Sequence, residues 1–182
     1  YQAGFRTIRL GLETSDIKQH DELDGKVSEG EFERAVQNLK KAGFTKKQIS
    51  AQIDKILGEK SEYPLIIAFL CNWCSYMGAD LAGTSKINYP TNIRSIRVMC
   101  TAMLNPSLVF EAFFNGADGV LIAGCHPQDC HYDTGFMKAA NRYVSIREIL
   151  GEAGLNEKRV RIESISAGEG EKFAQVVSDF KT

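Results

Sequence analysis

The chain of 182 residues is short of charge of one sign, of long apolar runs and, over its first 70 residues, of cysteine. With 22 Lys and Arg against 23 Asp and Glu, it lacks the clustered basic surface that a phosphate backbone recognises, so nucleic acid is not an expected partner. Its longest apolar run, residues 64–70, falls far short of the roughly 20 residues that span a bilayer. No charged-then-apolar leader precedes a cleavage site. We therefore expect a soluble, cytoplasmic protein with no membrane partner. Hydrophobic residues at 43% and aromatics at 9% are ordinary for a globular chain and exclude disordered, collagen-like and coiled-coil classes. The opening Tyr1, inside an expected strand, reads as the start of a processed or incomplete product.

Against these absences stands one concentration: five cysteines, all between residues 71 and 130. An odd number without a secretory signal argues against a disulfide scaffold, and clustered cysteine in a cytosolic chain points to metal or redox chemistry. The asymmetry also suggests a boundary near residues 58–62, dividing an N-terminal α/β fragment or docking extension, 1–61, from a second domain, 62–182.

In the first part, residues 5–12 read as a strand and Asp24-Gly25 as a turn. Ser28 with Glu31 forms a capping box for a helix that Gly43 ends. Thr45 with Gln48 repeats the signal for a second helix, whose apolar stripe is Ile49, Ile53, Ile56 and Leu57 and whose end is Gly58. About 60 residues fold alone only marginally, so this piece is expected to pack on the second domain or on another chain.

From residue 62 strands and helices alternate, as in a parallel sheet covered on both faces. The expected strands are 65–70, 95–99, 119–123 and 160–165. The last alternates apolar residues with Arg161 and Glu163, as an edge strand does. Asn105-Pro106 opens one helix, another runs over about 135–153 with Phe136, Ala140, Tyr143 and Leu150 inward, and Ser166 with Glu169 caps the last. The fold class is α/β, a flavodoxin-like doubly wound four-stranded sheet with a small helical N-terminal extension. Its default strand order, 2-1-3-4, places a ligand crevice beyond the C-terminal ends of strands 1 and 3.

The cysteines sit at those strand ends. Cys71 and Cys74 follow the first strand, Cys100 the second, and Cys125 and Cys130 the third. Converging thiols call for a soft partner: an iron-sulfur cluster, zinc, or a dithiol that cycles through a disulfide. Paired CxxC knuckles, the usual four-cysteine zinc pattern, are not present, and a thioredoxin-like use of Cys71-Asn-Trp-Cys74 leaves three cysteines unexplained. A 2Fe-2S cluster takes four thiolates and leaves one of five over. Spacing does not say which, since Cys71 and Cys100 both sit at strand ends as buried non-ligands could. His126 and His131 are read as groups around the sulfurs rather than ligands, and Trp73 as a shield against water or a packing residue.

Taken together, Cys71-Asn-Trp-Cys74-Ser-Tyr with Gly78-Ala-Asp80, Arg97-Val-Met-Cys100, Gly116-Ala-Asp-Gly-Val120, Gly124-Cys-His-Pro-Gln-Asp-Cys-His-Tyr132 and Ser164-Ile-Ser-Ala-Gly-Glu-Gly-Glu-Lys-Phe173 resemble the delta (iron-sulfur) subunit of methyl-viologen-reducing NiFe hydrogenases. The resemblance covers residues 64–182. It implies a 2Fe-2S electron carrier, held by four of Cys71, Cys74, Cys100, Cys125 and Cys130, that links a NiFe hydrogenase or formate dehydrogenase to the flavin- and iron-sulfur-containing subunit of heterodisulfide reductase in an electron-bifurcating complex. Such a chain is a non-catalytic electron-transfer subunit of an oxidoreductase, found in methanogens and some anaerobic bacteria. Thr101-Ala-Met103 departs from the family, where many members carry a small residue, Gly and Arg, and Gln128 replaces a common Gly. Residues 3–16 and 31–44 are similar to a strand and helix of the radical SAM barrel, but the CxxxCxxC of that family is absent. The other classes left open are a zinc-stabilised interaction module and a thiol-disulfide oxidoreductase.

Overall fold

The computed structural model describes residues 41, 45–59 and 64–180. The expected strand at 5–12, the turn at 24–25, the helix opened by Ser28 and the radical SAM-like stretches at 3–16 and 31–44 fall outside them, Lys41 apart. In chain order the elements are α1 (Lys46–Gly58), β1 (Ile66–Cys71), α2 (Ser75–Thr84), β2 (Ile93–Val98), α3 (Pro106–Phe114), β3 (Gly119–Gly124), α4 (Gly135–Glu152), β4 (Val160–Ser164) and α5 (Gly170–Asp179). Short 3-10 turns cover Thr101–Met103, Pro127–Asp129 and Glu157–Arg159. No helix among the described residues is long and apolar enough to cross a membrane.

The four strands form one parallel sheet in the order β2-β1-β3-β4. Every residue of β1 and β3 is buried, because helices cover both faces of these central strands and their apolar runs need no polar alternation. β4, at the edge, keeps Arg161 and Glu163 half-exposed as an ion pair at 2.7 Å. The sheet separates two cores. One holds Phe69, Ile96, Val98, Leu108, Ile122 and Ile146; the other holds Leu70, Leu121, Ile165, Phe173 and Val177. Gly78 of α2 lets the chain leading into α5 come close: a Cβ there would lie 2.8 Å from the Ser166 carbonyl oxygen.

Helix starts follow their caps. Asn105 Oδ1 accepts from Ser107 N at 3.0 Å, with Pro106 in the first turn. The Glu169 carboxylate accepts from Ser166 N at 2.7 Å, the reach-back half of a capping box, while α5 itself begins at Gly170.

Two expectations need adjustment. The inward face of α4 is Gly135, Ala139, Ile146 and Leu150; Phe136, Ala140 and Tyr143 are only half-buried. The start of this helix comes so close to the cysteines that its first inward position is Gly135, which a search for large apolar residues passes over. The second adjustment concerns α1. The compact unit begins at Lys46, and Ile49 and Ile53 are fully buried in the core beneath β2 and α3, so this helix belongs to the sheet domain rather than to the segment before residue 62. Burying each Ile stabilises by about 1.5–3 kcal/mol.

Candidate metal centre

At the C-terminal ends of β1, β2 and β3 the chain has just left its ladder, and each exit carries cysteine. Cys71 is the last residue of β1, Cys74 precedes α2, Cys100 opens the 3-10 turn after β2, Cys125 follows β3, and Cys130 ends the turn at Pro127–Asp129. All five are free and buried. The sulfurs of Cys71, Cys74 and Cys125 lie within 4.8 Å of one another, with Cys71 and Cys125 3.8 Å apart. Cys100 and Cys130 meet across Gly135, whose added Cβ would stand 2.6 Å from one sulfur and 3.1 Å from the other. The two groups lie close enough that Cys71 and Cys100, and Cys125 and Cys130, shift one another's protonation.

Ser75 fixes the strand tips. Its buried hydroxyl donates to the Ala123 carbonyl at 2.6 Å and accepts from Cys71 N at 2.8 Å, tying the end of β1 to the end of β3. Arg142, from α4, donates to the carbonyls of Ala102 and Leu104 and so holds the turn that carries Cys100.

The thiols set one another's protonation. Cys125 is held far below the ordinary thiol range by hydrogen bonds from Cys130, Cys71 and Cys74, with help from the His131 backbone N–H. Cys130 is raised, by Cys100 first and then by Cys125 and burial. At Cys71 the contact with Cys100 lowers the pKa, but Cys125, Cys74 and burial outweigh it and the thiol is raised. Cys125 pushes Cys74 up to about 12. Cys100 also reaches about 12, because Cys71 and burial outweigh the lowering contact with Cys130. Thus one sulfur carries negative charge easily while its neighbours resist it, since several thiolates this close repel without a cation between them.

Backbone amides supply further donors. Ser75 bonds Cys74, Ala102 bonds Cys100 at 3.4 Å, His131 bonds Cys125, and Tyr132 and Phe136 bond Cys130. Cys71 differs: its sulfur faces the Met99 carbonyl oxygen at 3.9 Å, as a donor would.

On the solvent side the Trp73 indole stacks on the His131 ring with centroids 4.0 Å apart. Its Nε1 donates to the Tyr132 hydroxyl at 3.3 Å, and Tyr132 meets His131 edge-on at 4.9 Å. Tyr132 is 8% exposed, and burial raises its phenol to about 12. The hydrogen bond of Tyr132 with Trp73 could have been sought in the run of aromatic and imidazole side chains next to Cys130. His126 turns the other way, onto the Glu169 carboxylate at 2.7 Å. Trp73 and His131 thus pack on each other beside Cys74 and Cys130, whereas His126 ties the third strand's loop to the start of α5.

The donor set fits an iron-sulfur cluster: sulfur in excess of four, all unpaired, most of it already supported by amides. It fits zinc as well in number and softness.

Comparison with known proteins matches residues 66–182 to the methyl-viologen-reducing hydrogenase delta subunit. One subunit of the ferredoxin:CoB-CoM heterodisulfide reductase of Methanosarcina mazei is 51% identical over 137 residues, 75% of this chain but 17% of its own length. The chain therefore spans about a sixth of that relative. The vhc iron-sulfur subunit of the F420-non-reducing hydrogenase of Methanococcus voltae is 51% identical over 116 residues, 64% of this chain and 81% of the relative. The iron-sulfur subunit of the F420-non-reducing hydrogenase of Archaeoglobus profundus is 44% identical over 117 residues, 64% of this chain and 85% of the relative. The 137 residues shared with the reductase protein exceed the 117 of 66–182 by 20, and the chain ends at 182, so that similarity reaches back at least to Lys46.

Proposed function

This chain belongs to the methyl-viologen-reducing hydrogenase delta-subunit family, and on that premise we propose that it carries electrons within a hydrogenase- and heterodisulfide reductase-associated oxidoreductase complex. The cofactor of this reading is one 2Fe-2S cluster, which supplies one-electron exchange when bound. Its donor is a NiFe hydrogenase or a formate dehydrogenase, and its acceptor the flavin-bearing reductase subunit, in an electron-bifurcating assembly. The observation that carries the reading is the meeting of five free, buried thiols at three strand ends.

Within it, four of the five cysteines are the ligands, and we assign Cys74, Cys100, Cys125 and Cys130, because a backbone N–H points at each of these sulfurs and would support thiolate charge once a cation sits between them. Cys71 is the sulfur left over, kept as a thiol facing the Met99 carbonyl. The amides of Ser75, Ala102, His131, Tyr132 and Phe136 draw charge from the sulfurs and so raise the reduction potential relative to a bare thiolate set. The Trp73–His131 stack excludes water on the outer side.

The test is visible absorption and low-temperature EPR of anaerobically purified protein, before and after dithionite, with iron, sulfide and zinc counted on the same sample. About two irons and two sulfides with a bleachable brown band and an S = 1/2 signal support the reading. A colourless protein with stoichiometric zinc replaces it by a zinc-stabilised interaction module. Metal-free protein with a reducible disulfide replaces it by thiol exchange.

A further inference from the structure

We propose that Cys71 is a transfer ligand: with Cys74 and Cys125 it forms a three-thiol site for a single thiophilic metal ion in the metal-free chain, and it returns to a thiol when the cluster is complete. Three observations carry this. First, the sulfurs of Cys71, Cys74 and Cys125 lie within 4.8 Å of one another, and Cys71 and Cys125 are 3.8 Å apart. Two sulfurs bound to one tetrahedral ion at about 2.3 Å stand about 3.8 Å from each other, so this pair already has the span of a chelate. Second, the span is built into the backbone. Leu70 pairs with Ala123 at the end of the β1–β3 ladder, and just beyond it the buried Ser75 hydroxyl bonds both Cys71 N and the Ala123 carbonyl. The three thiols therefore need little rearrangement to take an ion. Third, the Cys71 sulfur faces a proton acceptor, the Met99 carbonyl oxygen at 3.9 Å, toward which a thiol released from metal can point.

The release follows from coordination number. On each iron of a 2Fe-2S cluster two positions go to bridging sulfides and two to protein, so an ion first held by three thiolates gives one up. Cys100 and Cys130, which meet across Gly135 as a separate pair, serve the second iron. Cys74 and Cys125 stay on the first, and Cys71 leaves it. Each thiol that binds an ion gives its proton to solvent. In the exchange the bond from Cys71 to the ion breaks, a bond from sulfide to that ion forms, Cys71 takes up one proton, and no electron moves. The release rests on the reading of the centre as a 2Fe-2S cluster, whereas the three-thiol site does not.

The test titrates cobalt(II) alone into the reduced, metal-free full chain under anaerobic conditions and reads the thiolate-to-cobalt charge-transfer band. One cobalt should bind ahead of any second. Cys71→Ser should weaken that first cobalt by about 100-fold or more, beyond the roughly 10–100-fold that loss of a group around a ligand costs, and remove about a third of the band, since two of three thiolates remain. An unchanged first cobalt in Cys71→Ser, or an equal loss in Cys100→Ser, overturns the three-thiol site. Supplied with ferric iron and sulfide, Cys71→Ser should reach the wild-type iron and sulfide count at least about 10-fold more slowly, as the captured fraction falls with affinity. A Cys71→Ser chain that takes up neither makes Cys71 a permanent ligand and overturns its release. Circular dichroism checks the fold of each variant, and Cys71→Ala, read in the same way, decides the question if the serine variant misfolds. A wild-type chain that forms no cluster with iron and sulfide ends the electron-carrier reading and the release with it, and the cobalt titration still decides the three-thiol site by itself.

Discussion

The two ends of the sheet are built on opposite terms. At the end where β1 and β3 begin, backbone and side chains bond to one another, Asn92 Oδ1 being the one buried side-chain oxygen left without a partner among the described residues. Leu65 N donates to the Asp118 carboxylate at 2.7 Å, Asp118 N returns to the Leu65 carbonyl at 2.8 Å, and Arg159 donates to the carbonyls of Ala117 and Asp118. Asn92 Nδ2 adds a bond to the Pro64 carbonyl at 2.7 Å. At the other end five buried sulfurs have mainly one another, and sulfur is a weak donor and acceptor. The first end is held by protein groups, and the second is where, on the proposed reading, a cation would complete the site. A fold of this kind can therefore hold its shape at one end while leaving chemistry to the other.

Substitutions at the two ends should separate stability from cofactor content. Cys125→Ser, at the sulfur to which three others donate, should have the largest effect, abolishing the brown chromophore, while Cys71→Ser keeps it. Iron and sulfide counts of both purified variants check this, and equal loss in the two would end the assignment of Cys71 as the sulfur left over. Next, Gly135→Ala should lower bound iron severely, because its Cβ would meet the Cys100 and Cys130 sulfurs, and should change the EPR line shape of what remains. A spectrum and iron count equal to wild type would refute the close approach of α4.

At the closed end the expected sign is reversed. Asp118→Ala strands the Leu65 N–H and should cost about 1–3 kcal/mol in denaturant unfolding, with absorption and EPR unaltered. The smallest effect belongs to Glu169. Hydrogen bonds from Ser166 N and His126 lower its carboxyl to about 2, below its value in the unfolded chain. A depressed acid stabilises the fold above the unfolded pKa and loses that contribution as pH falls toward 2. Glu169→Gln should remove the small part of the acid sensitivity that falls in that window, as followed by circular dichroism.

Much of this division is legible from residues alone. The apolar runs of β1 and β3, the cap at Asn105-Pro106 and the charged alternation of β4 come from local rules, and the strand order follows from the alternation of strands and helices. The cysteines could be assigned to one crevice because a strand end is a topological place, known once the strands are known. What local patterns do not contain is distance. Ala139 inward on α4 and Tyr132 bonded to Trp73 follow from how near one element comes to another, and His126 finds Glu169 43 positions further along the chain. The stripe on α1 was readable as an apolar face, but not which surface it would cover.

The sequence holds one tryptophan, Trp73, set between Cys71 and Cys74 and stacked on His131 next to Cys130. Its fluorescence is therefore a built-in gauge of the centre, free of background from any other indole. Iron arriving beneath the ring should quench the emission, and its removal should restore it, so the filling of the crevice can be timed in solution, at low protein concentration and without a label.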